Sequence, residues 1–326
     1  MSDVAALAGV DTSVVSRVIN GDERLLVRPE TRQRVLDAID RLGYRPNIAA
    51  RMLKTSRTMA IGLVIPDFAN ASHAQIAIGA EQRANDAGYI LLVASGAAEH
   101  RLAQLHGRVD GLLYAIATGD PAAPVQLPEG IPCLLVNRRE PHLGPSVIGN
   151  DEASAEVATQ HLIDLGHRRI AHLVVNVPLD TGNRRTAGYL RAMSNAGLPV
   201  PPELGITTDV DEIGGYKATL ELLHREPRPT ALLIATSRWA MGALAACDEL
   251  GVRVPEDLSI VAFSDTPIGE FMHPALTTVE LPLRAMGVTA VEMLLRLIDD
   301  EDVADVELDE LPRLTQRAST APPPPD

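Results

Sequence analysis

Asp3-Val4-Ala5-Ala6-Leu7-Ala8-Gly9-Val10-Asp11-Thr12-Ser13-Val14-Val15-Ser16-Arg17-Val18-Ile19-Asn20 reads as two short helices joined at a glycine. Val4, Leu7 and Ala8 recur at helical spacing and stop at Gly9; Val15, Val18 and Ile19 recur again and stop at Asn20-Gly21. The Gly9-Val10-Asp11 turn is tight, and Asp11 carries the short acceptor side chain that caps a helix. This is the pattern of a helix-turn-helix, whose second helix, Thr12 to Asn20, enters the major groove of DNA. With Val15, Val18 and Ile19 turned inwards, Thr12, Ser13, Ser16 and Arg17 are left on the other side. Short hydroxyls and one guanidinium can hydrogen-bond to base edges and phosphates. The same spacing fits a small helical module for protein contact, so spacing alone leaves both readings open.

Outward from this stretch, Val35, Leu36, Ile39 and Leu42 form a third stripe that ends at Gly43, with Pro29 and Glu30 suited to its first turn. Tyr44-Arg45-Pro46 leads into a short helical piece, Asn47 to Lys54, and a linker, Thr55 to Thr58. The formal charge of the chain is −14, which excludes a protein that is basic throughout. Residues 1 to 57 nevertheless hold ten Lys/Arg against seven Asp/Glu, leaving 19 against 36 for the remainder. The basic residues therefore concentrate where the DNA contact is expected.

From residue 60 the pattern changes to continuous apolar runs: Ala60 to Ile65, Tyr89 to Ala94, Gly111 to Ala115, Ile131 to Val136, Ile170 to Val175, Ala231 to Ala235 and Leu258 to Phe263. Runs apolar on both faces and separated by helical stretches indicate parallel strands covered on both sides. The expectation is a doubly wound α/β body of roughly 260 residues, long enough for two lobes with a cleft between them. The final segment, 321–326, carries four consecutive prolines and is expected to be disordered.

Several function classes fall away. Cys133 and Cys247 make no disulfide framework, so a reduced, cytoplasmic setting is expected. No leader opens the chain, and no window approaches ~18 uninterrupted apolar residues, so no membrane partner is expected. No Gly-x-Ser-x-Gly elbow, Walker loop or Gly-x-Gly-x-x-Gly fingerprint is present, which argues against an enzyme and against a nucleotide cofactor. His161, His167 and His172 straddle a helix end and a strand and form no common metal-ligand spacing, so neither a metal nor a cofactor is expected. Asp299, Asp300, Glu301 and Asp302 read as a solvated helix end.

Taken together, the motifs resemble those of the LacI family of bacterial transcription regulators. Those that carry the resemblance are Asp3 to Val10, Val15 to Gly21, Thr31-Arg32 through Leu42 to Asn47, Ala50 to Leu53, Ile61 to Asp67, Val109 to Gly111, His161 to Ile170, Val254 to Ser259 and Pro274 to Val279. The resemblance spans nearly the whole chain. It implies an all-α helix-turn-helix domain at 1–46, a hinge helix and linker at 47–58, and a two-lobed periplasmic-binding-protein-like domain at 59–320 built of two doubly wound parallel sheets. It also implies that Thr12, Ser13 and Arg17 read operator bases, while Ser16, Asn20, Thr31, Tyr44 and Asn47 hold the DNA backbone. Ala50 and Leu53 match the hinge-helix positions that enter the minor groove, Leu53 as an apolar wedge between bases.

In the body, the resemblance places an effector among Asp67, Asn70, Ser72, His73, Asn150, Arg185, Thr236 and Ser264. Arg185 stands three residues before Gly188-Tyr189, the place of the family's ligand-binding arginine. The implied protein is a homodimeric, sequence-specific repressor of catabolic, carbohydrate-related genes. It binds a pseudo-palindromic double-stranded operator under control of a small molecule, a sugar or sugar derivative. The pocket departs from the family at four places: Thr236-Ser237 replaces Asn-Asp, Ala262-Phe263-Ser264-Asp265 replaces Gly-aromatic-Asp-Asp, Ala71-Ser72-His73 replaces Pro-Phe-Phe, and Asn150-Asp151 reverses Asp-Asn. An atypical effector is the expectation that follows. The alternative is a cytoplasmic sugar-binding protein whose DNA-binding module has degenerated.

Overall fold

The computed structural model describes residues 1–19, 25–44, 57–96, 98–115, 127–140, 142–175, 180–209 and 211–325. Two compact units divide within the linker, Met1–Thr58 and Met59–Asp326. Asn20, Asn47, Ala50 and Leu53, and with them the hinge-helix expectation, lie outside the described residues.

The first unit holds α1 (Ser2–Ala8), α2 (Thr12–Ile19) and α3 (Pro29–Leu42). Both α1 and α3 end on a glycine in the left-handed region, Gly9 at φ 64° and Gly43 at φ 56°, a conformation in which a side chain would be strained. Their small core is Val4, Ala5, Ala8, Val15, Val18, Val35 and Ala38, with Ile19, Ile39 and Tyr44 half-buried against it. The expected stripes are corrected at Leu7, Leu36 and Leu42, all of which are exposed. The buried arc of α1 runs over positions 4, 5 and 8, and that of α3 over 35, 38 and 39. At 100° per residue Leu7 and Leu36 fall beyond the edges of those arcs, whereas Leu42 shares the face of Val35 and Ala38 and is exposed as the last residue of α3.

The second unit carries two six-stranded sheets. The N-lobe sheet consists of β1 (Ala60–Ile65), β2 (Ile90–Ser95), β3 (Gly111–Tyr114), β4 (Cys133–Val136), β5 (Ser146–Ile148) and β11 (Val306–Glu307), in the order β2-β1-β3-β4-β5-β11 and parallel throughout. The C-lobe sheet consists of β6 (Ile170–Val175), β7 (Gly205–Thr208), β8 (Ala231–Ile234), β9 (Ser259–Phe263), β10 (Thr277–Glu280) and β12 (Arg313–Thr315), in the order β7-β6-β8-β9-β10-β12. Its strands are parallel as expected, with β12 added antiparallel to β10 at the edge. Both sheets repeat the flavodoxin-like 2-1-3-4-5 order, which puts a crevice at the carboxyl ends of the strands beside the switch point.

Helices α4 (Ala71–Asp86), α5 (Ala98–Leu105) and α11 (Leu283–Ile298) belong to the N-lobe, and α6 (Asp151–Asp164), α7 (Asp180–Asn195), α8 (Glu212–Leu223), α9 (Ser237–Glu249) and α10 (Pro267–Phe271) to the C-lobe. The chain passes between lobes after β5, after β10 and after β11. Each sheet is covered on both faces, by separate apolar clusters. Helices α8 and α9 approach so closely at Gly242 that a Cβ there would lie 2.0 Å from the Glu212 carbonyl oxygen. That contact sets the first turn of α8 beside the second turn of α9, within reach of Arg238 in the turn before.

Strands β5, β7, β10, β11 and β12 were not foreseen. They run only two to four residues, and β7 and β10 are rich in threonine, so none forms an apolar run that stands out. Disorder from residue 321 onward is also corrected at its near end. Ala321 accepts from His167 Nε2 at 2.9 Å and donates to Ser259 Oγ at 3.0 Å, while Thr320 meets His161 Nε2 at 3.1 Å. Just before it, Ser319 is buried and donates its hydroxyl to the Ile260 carbonyl at 2.6 Å. Backbone hydrogen bonds alongside β9 outweigh the lack of apolar residues in this segment.

Candidate nucleic-acid interface and interlobe cleft

Helix α2 owes its placement to three residues. Val15 and Val18 pin it to the core, and Asp11 Oδ1 accepts from the Ser13 amide at 2.8 Å at its N-terminus. Hydrogen bonds from the Ser13 hydroxyl and amide hold the Asp11 carboxyl below its ordinary pKa. Once this face is fixed, Thr12, Ser13 and Arg17 are exposed and Ser16 is half-buried. Thr31 sits in the first turn of α3, where amides favour anions, and Tyr44 is half-buried directly after the same helix. The resulting surface offers hydroxyls, a guanidinium and a helix N-terminus around a helix of major-groove dimensions.

The interlobe cleft is built differently, from helix N-termini presented at the ends of strands. Asp67 Oδ1 accepts from the amides of Ala69 and Asn70 at 2.7 and 2.9 Å, shaping the turn after β1. Asn70 then caps α4 through Ser72 N at 3.0 Å, Asn150 caps α6 through Ala153 N at 3.1 Å, and Thr236 caps α9 through Trp239 N at 3.3 Å. Three of the expected ligand contacts thus have their oxygens engaged within the fold. His73 is half-buried, and burial lowers its pKa. Ser264, at φ 74° directly after β9, is buried with its hydroxyl unpartnered.

Charged groups are paired across and along this cleft. Arg185 lies over the Phe263 ring, 4.4 Å from its centroid, and donates to Asp151 Oδ1 at 2.7 Å and to the Ala235 carbonyl at 3.1 Å. Arg184 takes the other oxygen of Asp151 at 2.7 Å and also pairs with Asp180 at 3.0 Å. Asp151 is only 2% exposed and meets both guanidiniums, one on each oxygen. Arg238 grips Glu212 with two hydrogen bonds of 2.8 Å and reaches Asp67 of the N-lobe at 3.5 Å. That grip lowers the Glu212 pKa to about 2. From the N-lobe, the Arg139 amide donates to Asp180 Oδ2 at 3.0 Å, and Arg138 is buried over the Tyr114 ring, 5.5 Å from its centroid, paired with Glu140.

Residues 1–47 match the family model described as bacterial regulatory proteins, lacI family, and residues 159–320 match that of a periplasmic binding protein-like domain. The catabolite control protein A of Priestia megaterium is 33% identical over 98% of both chains. The chain belongs to the LacI family. The ribose operon repressor of Haemophilus influenzae is 33% identical over 91% of each chain. Among solved structures, the lac repressor dimer bound to operator and an anti-inducer superposes with a TM-score of 0.81 at 27% identity, covering 98% of both chains. A CelR–cellobiose complex gives 0.73 at 32% identity over 97% of this chain and 98% of that one.

As a LacI-family member, the chain has a helix-turn-helix and a two-sheet sensor unit; of the described part of the expected operator set, Thr12, Ser13, Ser16 and Arg17 lie on α2, while Thr31 and Tyr44 lie at the two ends of α3. Of the cleft residues, Arg138, Arg184, Glu212 and Arg238 were not foreseen, and Asp151 was named only within the reversed Asn150-Asp151 pair, without a role. One signal was available: Arg138-Arg139-Glu140 follows an apolar strand directly, at the edge where cleft residues belong. The pairing partners had no signal, because each joins elements far apart in the chain. His161 and His167, read as lacking metal-ligand spacing, anchor the C-terminal segment, and His172 packs at 5.1 Å against the Tyr189 ring. Among the described residues no group of His, Cys, Asp and Glu could hold a metal ion, and no helix is long and apolar enough to cross a membrane.

Proposed function

We propose that this chain is a cytoplasmic, non-enzymatic repressor of carbohydrate-related genes, acting as a homodimer on a pseudo-palindromic operator under control of a small molecule held between the lobes. The observation that carries the reading is the division of α2: Val15 and Val18 are buried, and Thr12, Ser13 and Arg17 are exposed on the other side. In this reading those three read bases and Ser16, Asn20, Thr31, Tyr44 and Asn47 hold phosphates, with Ala50 and Leu53 entering the minor groove. Asp67, Asn70, Ser72, His73, Asn150, Arg185, Thr236 and Ser264 surround the effector. A two-fold dimer presents one α2 to each half-site, which is why the operator repeats as a palindrome.

Two exposed apolar faces support the dimer. Phe68, Ile78 and Val93 line a groove on the N-lobe, and Ile213 and Met241 line one on the C-lobe. The solved lac repressor relative is itself a dimer on its operator. Effector occupancy that favours one arrangement of the lobes shifts the population between operator-competent and incompetent states.

The test is selection of bound sequences from random duplex DNA, followed by titration of the winner at several salt concentrations. Enrichment of a palindrome with a steep salt slope is expected. Absence of any enrichment favours the second reading, a sugar-binding protein with a degenerate DNA module.

A further inference from the structure

We propose that Asp180 is the positioning residue through which the effector site acts on the arrangement of the two lobes. The proposal rests on the reading of the interlobe cleft as the effector site, with Arg185 in it. Asp180 opens α7 of the C-lobe, yet its Oδ2 accepts from the backbone amide of Arg139 in the N-lobe at 3.0 Å. The same oxygen accepts from Arg184 Nε at 3.1 Å. One carboxylate oxygen thus joins a main-chain donor of one lobe to a guanidinium of the other.

From Asp180 the contacts run on in both directions. Inwards, Arg184 stands 2.7 Å from Asp151 Oδ2, and Arg185 Nε donates to Asp151 Oδ1 at 2.7 Å. Outwards, the Arg139 guanidinium pairs with Glu307 of β11 at 2.9 Å. Side-chain exposure falls along this line from 38% at Arg139 through 25% at Asp180 to 2% at Asp151, so the inner pairs are the least screened by water and salt. Arg184 also donates from Nη1 to the Gly149 carbonyl at 2.8 Å, in the crossover that follows β5. The same guanidinium therefore holds a bridge between the lobes and one of the segments that connect them.

Two guanidiniums share the single charge of Asp151. Whatever engages Arg185 changes the share left to Arg184, and with it the hold of Arg184 on Asp180 and Gly149. The N-lobe end of this line is the backbone of Arg139, directly after β4, so the change arrives at the lobe whose first strand follows the linker. A second contact between the lobes has a different anchor. Arg238 reaches Asp67 at 3.5 Å and is held by two hydrogen bonds of 2.8 Å to Glu212 on α8. That contact supplies the control.

The test reads amide hydrogen exchange of the full chain by mass spectrometry, with neither ligand nor DNA added. Asp180→Asn keeps an acceptor oxygen and loses the charge. In this variant the Arg139 amide should exchange about ten-fold faster, with little change in Tm. Arg185→Gln lies at the far end of the line, yet should speed the same amide about three-fold. Combined with Asp180→Asn it should add nothing, because both changes break one line. Arg238→Gln should instead multiply with Asp180→Asn. Arg185→Lys, which keeps the charge without the fork, carries the test should Arg185→Gln not fold cooperatively.

An Arg139 amide indifferent to Asp180→Asn, or effects of Asp180 and Arg185 that multiply, overturns the proposal. So does uniformly faster exchange of the C-lobe with a lowered Tm, the mark of a carboxylate that only supports the fold. Operator titration is run on the same proteins, and Asp180→Asn should shift affinity at least about three-fold. Absence of operator binding by the wild-type chain sinks the repressor reading alone and leaves the exchange result standing. Operator affinity indifferent to Asp180→Asn sinks the role of Asp180 alone.

Discussion

Helix α2 and the interlobe cleft use polar side chains in opposite ways. On α2 the exposed polar residues are what the core leaves over: Val15 and Val18 anchor the helix, Ser13 meets Asp11 at its first turn, and Thr12 and Arg17 are exposed on the other side. In the cleft, Asn70, Asn150, Thr236, Asp151 and Arg185 are themselves part of the scaffold, as caps and buried ion pairs. The difference teaches that recognition and stability are separable on the surface helix and coupled in the cleft. Substitutions should therefore change one quantity in the first region and two in the second.

The largest effect expected from this contrast is at Asp151. Asp151→Ala leaves Arg184 and Arg185 buried without their shared carboxylate and should lower unfolding free energy by about 3–5 kcal/mol. Chemical denaturation checks it; a loss below about 1 kcal/mol breaks the claim that the cleft is scaffold.

His172 supplies the next test. Burial first, then the Arg185 charge, lowers its pKa to about 3, so the unfolded chain binds the proton that the folded chain refuses between that value and the ordinary 6.5. The contribution of neutral His172 is complete above pH 6.5. It should fall by about 1.4 kcal/mol per pH unit on acidification through that window. A His172→Phe variant should lose this slope in denaturation curves measured from pH 7 to 5.

On α2 the expectation reverses. Arg17→Ala should weaken operator binding by about 1–3 kcal/mol or more while leaving Tm unchanged, measured by titration and thermal unfolding on the same preparation. A large fall in Tm would break the separation between reading and folding. The smallest effect is at Thr236→Ala, which removes the cap of α9 and should cost about 1 kcal/mol of stability. Any accompanying change in effector affinity would measure how far cap and contact are coupled.

How much was legible varies with the same contrast. The α2 surface could be read from spacing because a helix repeats every 3.6 residues, so burial of Val15 and Val18 dictates what Arg17 faces. The stripe rule failed at Leu7, Leu36 and Leu42, where a core of three short helices is too narrow to cover every apolar residue. In the body, the long buried strands were legible, whereas β5, β7, β10, β11 and β12 were too short to leave a pattern. Arg185 was reached through the motif around Gly188-Tyr189, but its engagement by Asp151, 34 positions earlier, was not.

The sequence by itself determined the order of domains, the buried face of α2, the alternation of strands and helices, and the family to which the chain belongs. These follow from local periodicity and from motifs contiguous in the chain. Only the tertiary structure decided which polar groups of the cleft are engaged and which are idle. Asp67 meets Arg238, Arg139 meets Asp180, and Ala321 meets His167 across distances in sequence that no local pattern spans. Whether a buried charge is answered depends on partners brought by other elements, and so the line of pairs through Asp180 emerged only once the lobes were assembled.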